Sequence, residues 1–280
     1  MYFDTHAHLN FPAFVKDRDK LIKECLKKDF WMLNVGTNLF TSKKAIEIAQ
    51  NYDEGVYASV GLHPINLNTG LTRMKIDESE ADKEESLFES EFDYEEYRKI
   101  SLDKKVVAVG EIGLDYYYKP KIEIKLKGFK LNQKLLFLQH IKLAKELNLP
   151  LIIHCRMAHQ DLLNILHIQE GIYHEKFRGV IHCFTGNMSQ LNDYIHLGFH
   201  IGFNGIIFKL NLKDVIKKTP LDKMVLETDC PFFPTSSKKT RNDPSDVIVV
   251  AEEIAKIKKI DLKELSEKTT ENARKLFDLN

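Results

Sequence analysis

Eight apolar, β-prone runs alternate with stretches of helical period along the whole chain, and no other feature constrains the fold as much. The strand candidates are residues 2–6, 31–36, 56–61, 106–111, 150–154, 179–182, 199–203 and 223–228. Amphipathic candidates lie between them at 17–28, 41–51, 88–100, 129–147, 158–168, 188–197 and 211–218, and two more helices follow at 245–258 and 261–276. The run Val247-Ile248-Val249-Val250 could pass for a strand, but Ala251, Ile254, Ala255 and Ile257 continue it with helical period, so it reads as helix. Asp261-Leu262-Lys263-Glu264 has the spacing of a capping box, with Asp in place of the usual Ser or Thr. Such alternation over 280 residues predicts an α/β fold, a (β/α)8 TIM barrel with C-terminal helices, as one domain spanning 1–280. The alternative, an open doubly wound sheet, usually carries a Gly-rich phosphate turn after its first strand. Here that strand ends in histidines, and neither GxxxxGK[ST] nor GxGxxG occurs.

The chemistry sits at the strand ends. The first strand gives Asp4-Thr5-His6-Ala7-His8, where His6 and His8, two apart, share a face. The third ends in Gly61-Leu62-His63-Pro64 and the fourth in Gly110-Glu111-Ile112-Gly113-Leu114-Asp115. The fifth ends in Ile153-His154-Cys155-Arg156, the sixth in Ile181-His182-Cys183-Phe184 and the eighth in Leu226-Glu227-Thr228-Asp229-Cys230-Pro231. One such histidine is more often structural than functional. Six or seven at the same end of successive strands converge on one barrel mouth, where active sites lie. His154 and His182 are 28 residues apart, close to one βα unit of ~31 residues.

Imidazoles and carboxylates gathered this way point to a metal site. His6, His8, Glu111, His154, His182 and Asp229 make six ligands, more than a four-coordinate zinc takes, which points to two divalent ions with Glu111 between them. A pair of ions suits in-line phosphoryl chemistry, and two dications over two carboxylates leave a site that attracts a phosphodiester. Asp229 is the candidate to take the water's proton, and Glu111 joins it as a catalytic candidate. Three residues are expected to bind substrate: Arg156, on the face of His154; His63; and Arg241, in the polar loop 234–245. Cys155, Cys183 and Cys230 each follow a ligand candidate, so alternation turns them toward the helix layer. Glu227 shares parity with Asp229 and can hydrogen-bond a ligating histidine. Asp115 and His159 have ordinary structural readings beside functional ones. Histidine-rich ligation favours Zn²⁺ or Mn²⁺.

Composition narrows the rest. Lysine plus arginine and aspartate plus glutamate both number 41, so the formal charge is zero, which is unlike a DNA-coating protein. The balance hides an acidic excursion at 74–100, with eleven acids and four bases. The rest of the chain carries a net +7, which permits an anionic substrate. No apolar run reaches ~18 residues and the start shows no signal peptide, so no membrane partner is expected. The four cysteines form no CxxC pair and read as reduced thiols of a cytoplasmic protein.

The motif set as a whole resembles the TatD family of metal-dependent nucleases. The matching motifs are Asp4-Thr5-His6-Ala7-His8-Leu9, Gly61-Leu62-His63-Pro64, Gly110-Glu111-Ile112-Gly113-Leu114-Asp115-Tyr116, His154-Cys155-Arg156, His182-Cys183-Phe184-Thr185-Gly186, Glu227-Thr228-Asp229 and Arg241-Asn242-x-Pro244. They run in order from residue 1 to about 277. The resemblance implies a TIM barrel of the amidohydrolase-like superfamily and a divalent-metal-dependent deoxyribonuclease, often a 3′→5′ exonuclease on single-stranded DNA, with roles in DNA repair or fragmentation. It carries the family's metal ligands onto His6, His8, Glu111, His154, His182 and Asp229, and it admits Mg²⁺ beside Zn²⁺ and Mn²⁺. A monomer is compatible with it. The departure is the acidic excursion, longer than the family pattern at that place. The runner-up is a small-molecule ester or amide hydrolase of the same superfamily, or an aminoacyl-tRNA esterase. The subclass with a bridging carboxylated lysine would need lysine where Glu111 stands. An inactive binding barrel is the reading furthest from the intact ligand set.

Overall fold

In the computed structural model, the described residues are 1–71, 88–235 and 240–279. Strands β1 (Tyr2–Ala7), β2 (Phe30–Val35), β3 (Val56–Val60), β4 (Val106–Asp115), β5 (Leu151–Arg156), β6 (Gly179–Ile181), β7 (His200–Phe203) and β8 (Met224–Leu226) pair in chain order and in parallel as a closed barrel. The pairing of Asp4 with Leu226 closes the ring between β1 and β8. Helices α1 (Arg18–Leu26), α2 (Leu39–Gln50), α3 (Tyr94–Ile100), α4 (Glu123–Leu147), α5 (His159–Tyr173), α6 (Met188–His196) and α7 (Lys213–Lys218) fall between the strands, and α8 (Val247–Lys258) and α9 (Leu262–Leu276) follow them. The fold is the (β/α)8 TIM barrel expected, with its C-terminal helices.

Parallel barrel strands are covered on both faces, which is why they read as unbroken apolar runs. Every residue of β2 and of β4 is buried. One apolar cluster packs the outward strand faces against the helices. A smaller one, including Phe3, Trp31, Val107, Ile152, Val180 and Val225, fills the barrel interior beneath the mouth. Ala273, Leu276 and Phe277 of the chain's end join that inner cluster, and the Phe277 ring lies 6.1 Å from Phe3. The C-terminal helix therefore plugs the end of the barrel opposite the strand termini.

Side-chain caps fix several helix starts. Asn38 opens α2 and Asn187 opens α6, each in a reciprocal capping box with the residue three further on. Asp261 caps α9 by accepting from the Lys263 N–H. Val247–Val250 is helical, as its continuation indicated.

Several boundaries differ from expectation: β4 runs on to Asp115 rather than stopping at 111, and α5 runs to Tyr173 rather than 168. Helix α4 begins at Glu123 rather than 129, its first turn being exposed and lacking the apolar stripe that marks the rest. The helix expected over 88–100 is confined to Tyr94–Ile100, where the Asp93 carboxylate accepts from the Glu96 N–H and sets the start. The bulk of the acidic excursion, 72–87, lies outside the described residues.

Candidate metal centre

The mouth of the barrel is built by the residues that end its strands. His6 lies in β1 and His8 one residue beyond it. Glu111 and Asp115 lie in β4, His154 in β5, His182 just past β6 and Asp229 three residues past β8. Gly113 makes the β4 approach possible. Its φ is +133°, and a Cβ there would stand 2.1 Å from the His154 carbonyl oxygen, so only glycine fits between Glu111 and Asp115. From the other side, the α4 residue Gln133 grips the Asp115 backbone, donating to its carbonyl and accepting from its N–H, both at 2.9 Å.

Glu111 is the hub. Its Oε2 lies 3.3 Å from His6 Nε2 and 3.6 Å from His8 Nε2. Its Oε1 lies 3.0 Å from His154 Nδ1, 3.4 Å from His63 Nε2 and 4.0 Å from His182 Nε2. Asp229 faces the same space, with Oδ1 3.4 Å from His8 Nε2 and Oδ2 3.5 Å from His182 Nε2. Each oxygen of one buried carboxylate therefore addresses a different set of imidazoles. Among the described residues the donor atoms form four trios within 4.8 Å of one another: His6, His8 and Glu111; His63, Glu111 and His154; His182, Cys183 and Asp229; and His6, His182 and Glu227.

A layer behind these side chains sets which nitrogen points inward. His8 Nδ1 donates to the Val35 carbonyl at 3.0 Å, leaving its Nε2 lone pair toward the cluster. His182 Nδ1 donates to Glu227 Oε2 at 2.9 Å, an oxygen that also accepts from the Cys183 N–H. Glu227 is wholly buried and fits because position 202 is glycine; a Cβ there would stand 2.2 Å from its Oε1. His63 differs. Its Nδ1 accepts from the Ile65 N–H, so the ring proton sits on Nε2 and aims at Glu111. Asp4 accepts from the Thr228 N–H and hydroxyl and from the His6 N–H, tying the approach to Asp229 to β1.

The electrostatics suit a cation. Burial pushes the Glu111 and Asp229 carboxyls upward, but the surrounding imidazoles overcome it and hold both below the usual carboxylate range. Burial disfavours charge on His154 too; Asp115 and Glu111, each 3.0 Å from one ring nitrogen, outweigh it and push His154 up to about 9. Glu227 and Asp229 likewise raise His182 against its burial. At His6 and His63 burial outweighs the nearby carboxylate and holds both below the ordinary imidazole value. The His6 and His8 Nε2 atoms stand 3.1 Å apart, a distance at which two lone pairs repel unless a proton or cation lies between them. Ionised carboxylates and inward-facing nitrogens at these separations are the donor set of a divalent-metal site.

A cavity of about 610 Å³ opens above the cluster. His8, His63, Glu111, His154, His182 and Asp229 line its floor, while His6 lies beneath, fully buried. Arg156 reaches its wall, with the guanidinium carbon 3.6 Å from the Tyr117 ring centre. Arg241, expected to meet substrate, is seated elsewhere. It bonds the Ala13 carbonyl and the Asp17 carboxylate and lies over the Phe14 ring. With Asn242 donating to the Thr228 carbonyl, it fastens the last loop to the segment before α1, a tertiary partnership that loop polarity does not announce. Cys155 follows expectation in part: its sulfur lies 3.3 Å from His159 Nδ1 and 4.0 Å from the Tyr194 hydroxyl, between α5 and α6, though it also touches the cavity wall. Cys183 does not point into the helix layer. Strand β6 stops at Ile181, alternation ends with it, and the Cys183 thiol lines the cavity and bonds Asn204.

Asp115 is the site residue that sequence reasoning undervalued. It lines the cavity and grips His154. Its signal was present: it stands four residues beyond Glu111 on one strand, and hence on the same face.

Comparison with known proteins agrees with this architecture. The profile of the family described as TatD related DNase matches residues 3–278. The metal-dependent hydrolase YabD of Bacillus subtilis (strain 168) is 36% identical over 285 residues, covering 100% of both chains. A protein named 3′-5′ ssDNA/RNA exonuclease TatD, from Erwinia tasmaniensis, is 28% identical and covers 99% of this chain and 100% of its own. Among solved structures, the TatD homologue YJJV of Escherichia coli K12 superposes with a TM-score of 0.79 at 27% identity, covering 100% of this chain and 98% of that one.

Proposed function

This chain belongs to the TatD family of metal-dependent hydrolases acting on ester bonds, and from that premise we propose that it hydrolyses phosphodiesters of single-stranded DNA from the 3′ end, with two divalent ions held at the barrel mouth. The observation that carries the two-ion reading is the divided carboxylate of Glu111, with His6 and His8 facing one oxygen and His154, His63 and His182 the other. His6, His8, Glu111, His154, His182 and Asp229 would hold the ions, with Asp115 beside them. When bound, such ions polarise a phosphoryl oxygen and make water acidic enough to attack at neutral pH.

The chain's own groups do the rest. Asp229 is kept ionised, faces the cavity and takes the proton of the attacking water. Glu227 holds His182 with Nε2 inward. His63 directs its Nε2 proton at Glu111 and borders the substrate. Arg156, on the wall, bonds a phosphate oxygen. With Asp115 counted, three carboxylates face two dications, a formal +1 that still favours a polyanion over a neutral ester. The name of the Erwinia relative supports the nucleic-acid class. All four cysteines are free thiols, in keeping with a cytoplasmic enzyme, and the role we assign to this single-barrel enzyme is trimming DNA ends in repair. No helix among the described residues is long and apolar enough to cross a membrane.

The test is a cleavage assay on metal-stripped protein with a 5′-labelled single-stranded oligomer, adding Mg²⁺, Mn²⁺ or Zn²⁺ in turn. A ladder shortening from the 3′ end, restored by one of the ions, is expected. Confirmed metal occupancy without cleavage would reject the reading and leave the small-molecule or aminoacyl ester as substrate.

A further inference from the structure

The cavity wall carries two cation–aromatic pairs; the phosphate contact proposed for Arg156 uses the edge of its guanidinium and leaves the flat faces of the pairs unassigned. Arg156, the last residue of β5, lies over Tyr117, whose N–H donates to Asp115 just after β4. Lys209, after β7, stands 5.0 Å from the ring centre of Phe233, after β8. In a ring of eight strands closed in chain order, β4 lies directly across the mouth from β8, and β5 and β7 stand on either side of β6. The pairs therefore border the Glu111 cluster from two sides of one cavity. Arg156, Lys209 and Phe233 line the cavity, both cations are exposed, and Tyr117 is 50% exposed. Among the described residues neither cation is held by a carboxylate.

Single-stranded nucleic acid presents this chemistry in alternation, a flat π face and then a phosphate. Proteins meet it with aromatic rings or guanidinium planes for the bases and with cations for the backbone. A protein ordering Arg156 on a ring already offers one such plane. We propose that the two pairs are nucleobase platforms: one base stacks on the Arg156 guanidinium face turned away from Tyr117, the adjacent base stacks on Phe233, and the phosphate joining them lies over Glu111, with Lys209 on the flanking backbone. This rests on the nuclease reading and adds to it the path of the strand, from the β4–β5 side of the mouth to the β7–β8 side. The terminal and penultimate bases of a 3′ end would then occupy different platforms.

A cycle between ring and base tests it. Three 5′-labelled single-stranded DNA oligomers are used: unmodified, with a baseless deoxyribose at the 3′-terminal position, and with one at the penultimate position. For the metal-loaded wild-type enzyme, each base deletion is expected to lower kcat/KM for removal of the last nucleotide on the order of tenfold, the scale of a lost base–aromatic stack. Tyr117→Leu and Phe233→Leu keep apolar bulk but remove the ring. Each should show a comparable loss on the unmodified oligomer and make one base deletion silent, a different one for each variant. Tyr117→Phe and Phe233→Tyr, which keep the ring, should restore the wild-type pattern. Ring and base losses that simply multiply for every pair would overturn the platforms while leaving the nuclease reading in place. A wild-type enzyme that degrades none of the oligomers would overturn both.

Discussion

Glu111 is buried to 4% exposure, yet histidines from three strands and the loop after β3 lean on its two oxygens. Removing it takes away the charge shared by two of the four donor trios found among the described residues. Glu111→Ala is expected to abolish hydrolysis and lower bound metal, read by elemental analysis, while the far-ultraviolet circular dichroism of the barrel stays unchanged. Asp229→Asn keeps the shape of the side chain but not its basicity, and turnover at saturating metal should fall by at least ~10²-fold; wild-type turnover would remove Asp229 from the proton transfer. Glu227 orients His182 and accepts from the Cys183 N–H, so Glu227→Gln should weaken metal binding by roughly 10–100-fold in a chelator competition, with an intact fold. At this scale the sequence was readable wherever a strand delivered a residue to its own end, as with His6, His154 and His182. Asp115 was legible by parity with Glu111 but looked ordinary alone. Arg241 was not legible, because its partners Ala13 and Asp17 lie more than two hundred residues away in the chain.

Helix α4 shows how an element positions the site from outside. Gln133 holds Asp115, and one turn pair further on His140 is fully buried, donating from Nδ1 to the Leu136 carbonyl and accepting at Nε2 from the Leu62 N–H, next to His63. Burial pushes His140 down to about 3, the hydrogen bond to Leu136 opposing only slightly. The folded state thus binds fewer protons than the unfolded chain between about pH 3 and the ordinary imidazole value near 6.5. Its contribution is complete above that value and is lost as pH falls, by about 2 kcal/mol between pH 7 and pH 5. His140→Gln, which can make both hydrogen bonds without titrating, should flatten the fall in Tm over that range relative to wild type. An unchanged slope would show that acid sensitivity arises elsewhere. The elements themselves were legible because apolar period separates buried strands from half-buried helices. Their ends were less so: the start of α3 depends on the Asp93 cap, and that of α4 on an exposed turn with no apolar signature.

At the scale of the molecule, barrel closure turns six separated motifs into one centre. The spacing of 28 residues between His154 and His182 already implied neighbouring strands, and their pairing as β5 and β6 realises it. The plug formed by Ala273, Leu276 and Phe277 was not legible, since the periodicity of α9 shows an apolar face without naming the surface it covers. The floor of the mouth combines ionised carboxylates, inward nitrogens and a supporting layer of Glu227, Val35 and Asp4, and its division about Glu111 is the central claim. The most direct measurement is an anomalous difference map from a crystal of the protein equilibrated with Mn²⁺. Two peaks per chain are expected, sharing Glu111, one beside His6 and His8 and the other beside His154. A single peak, or peaks that leave Glu111 uncoordinated, would contradict the two-ion account.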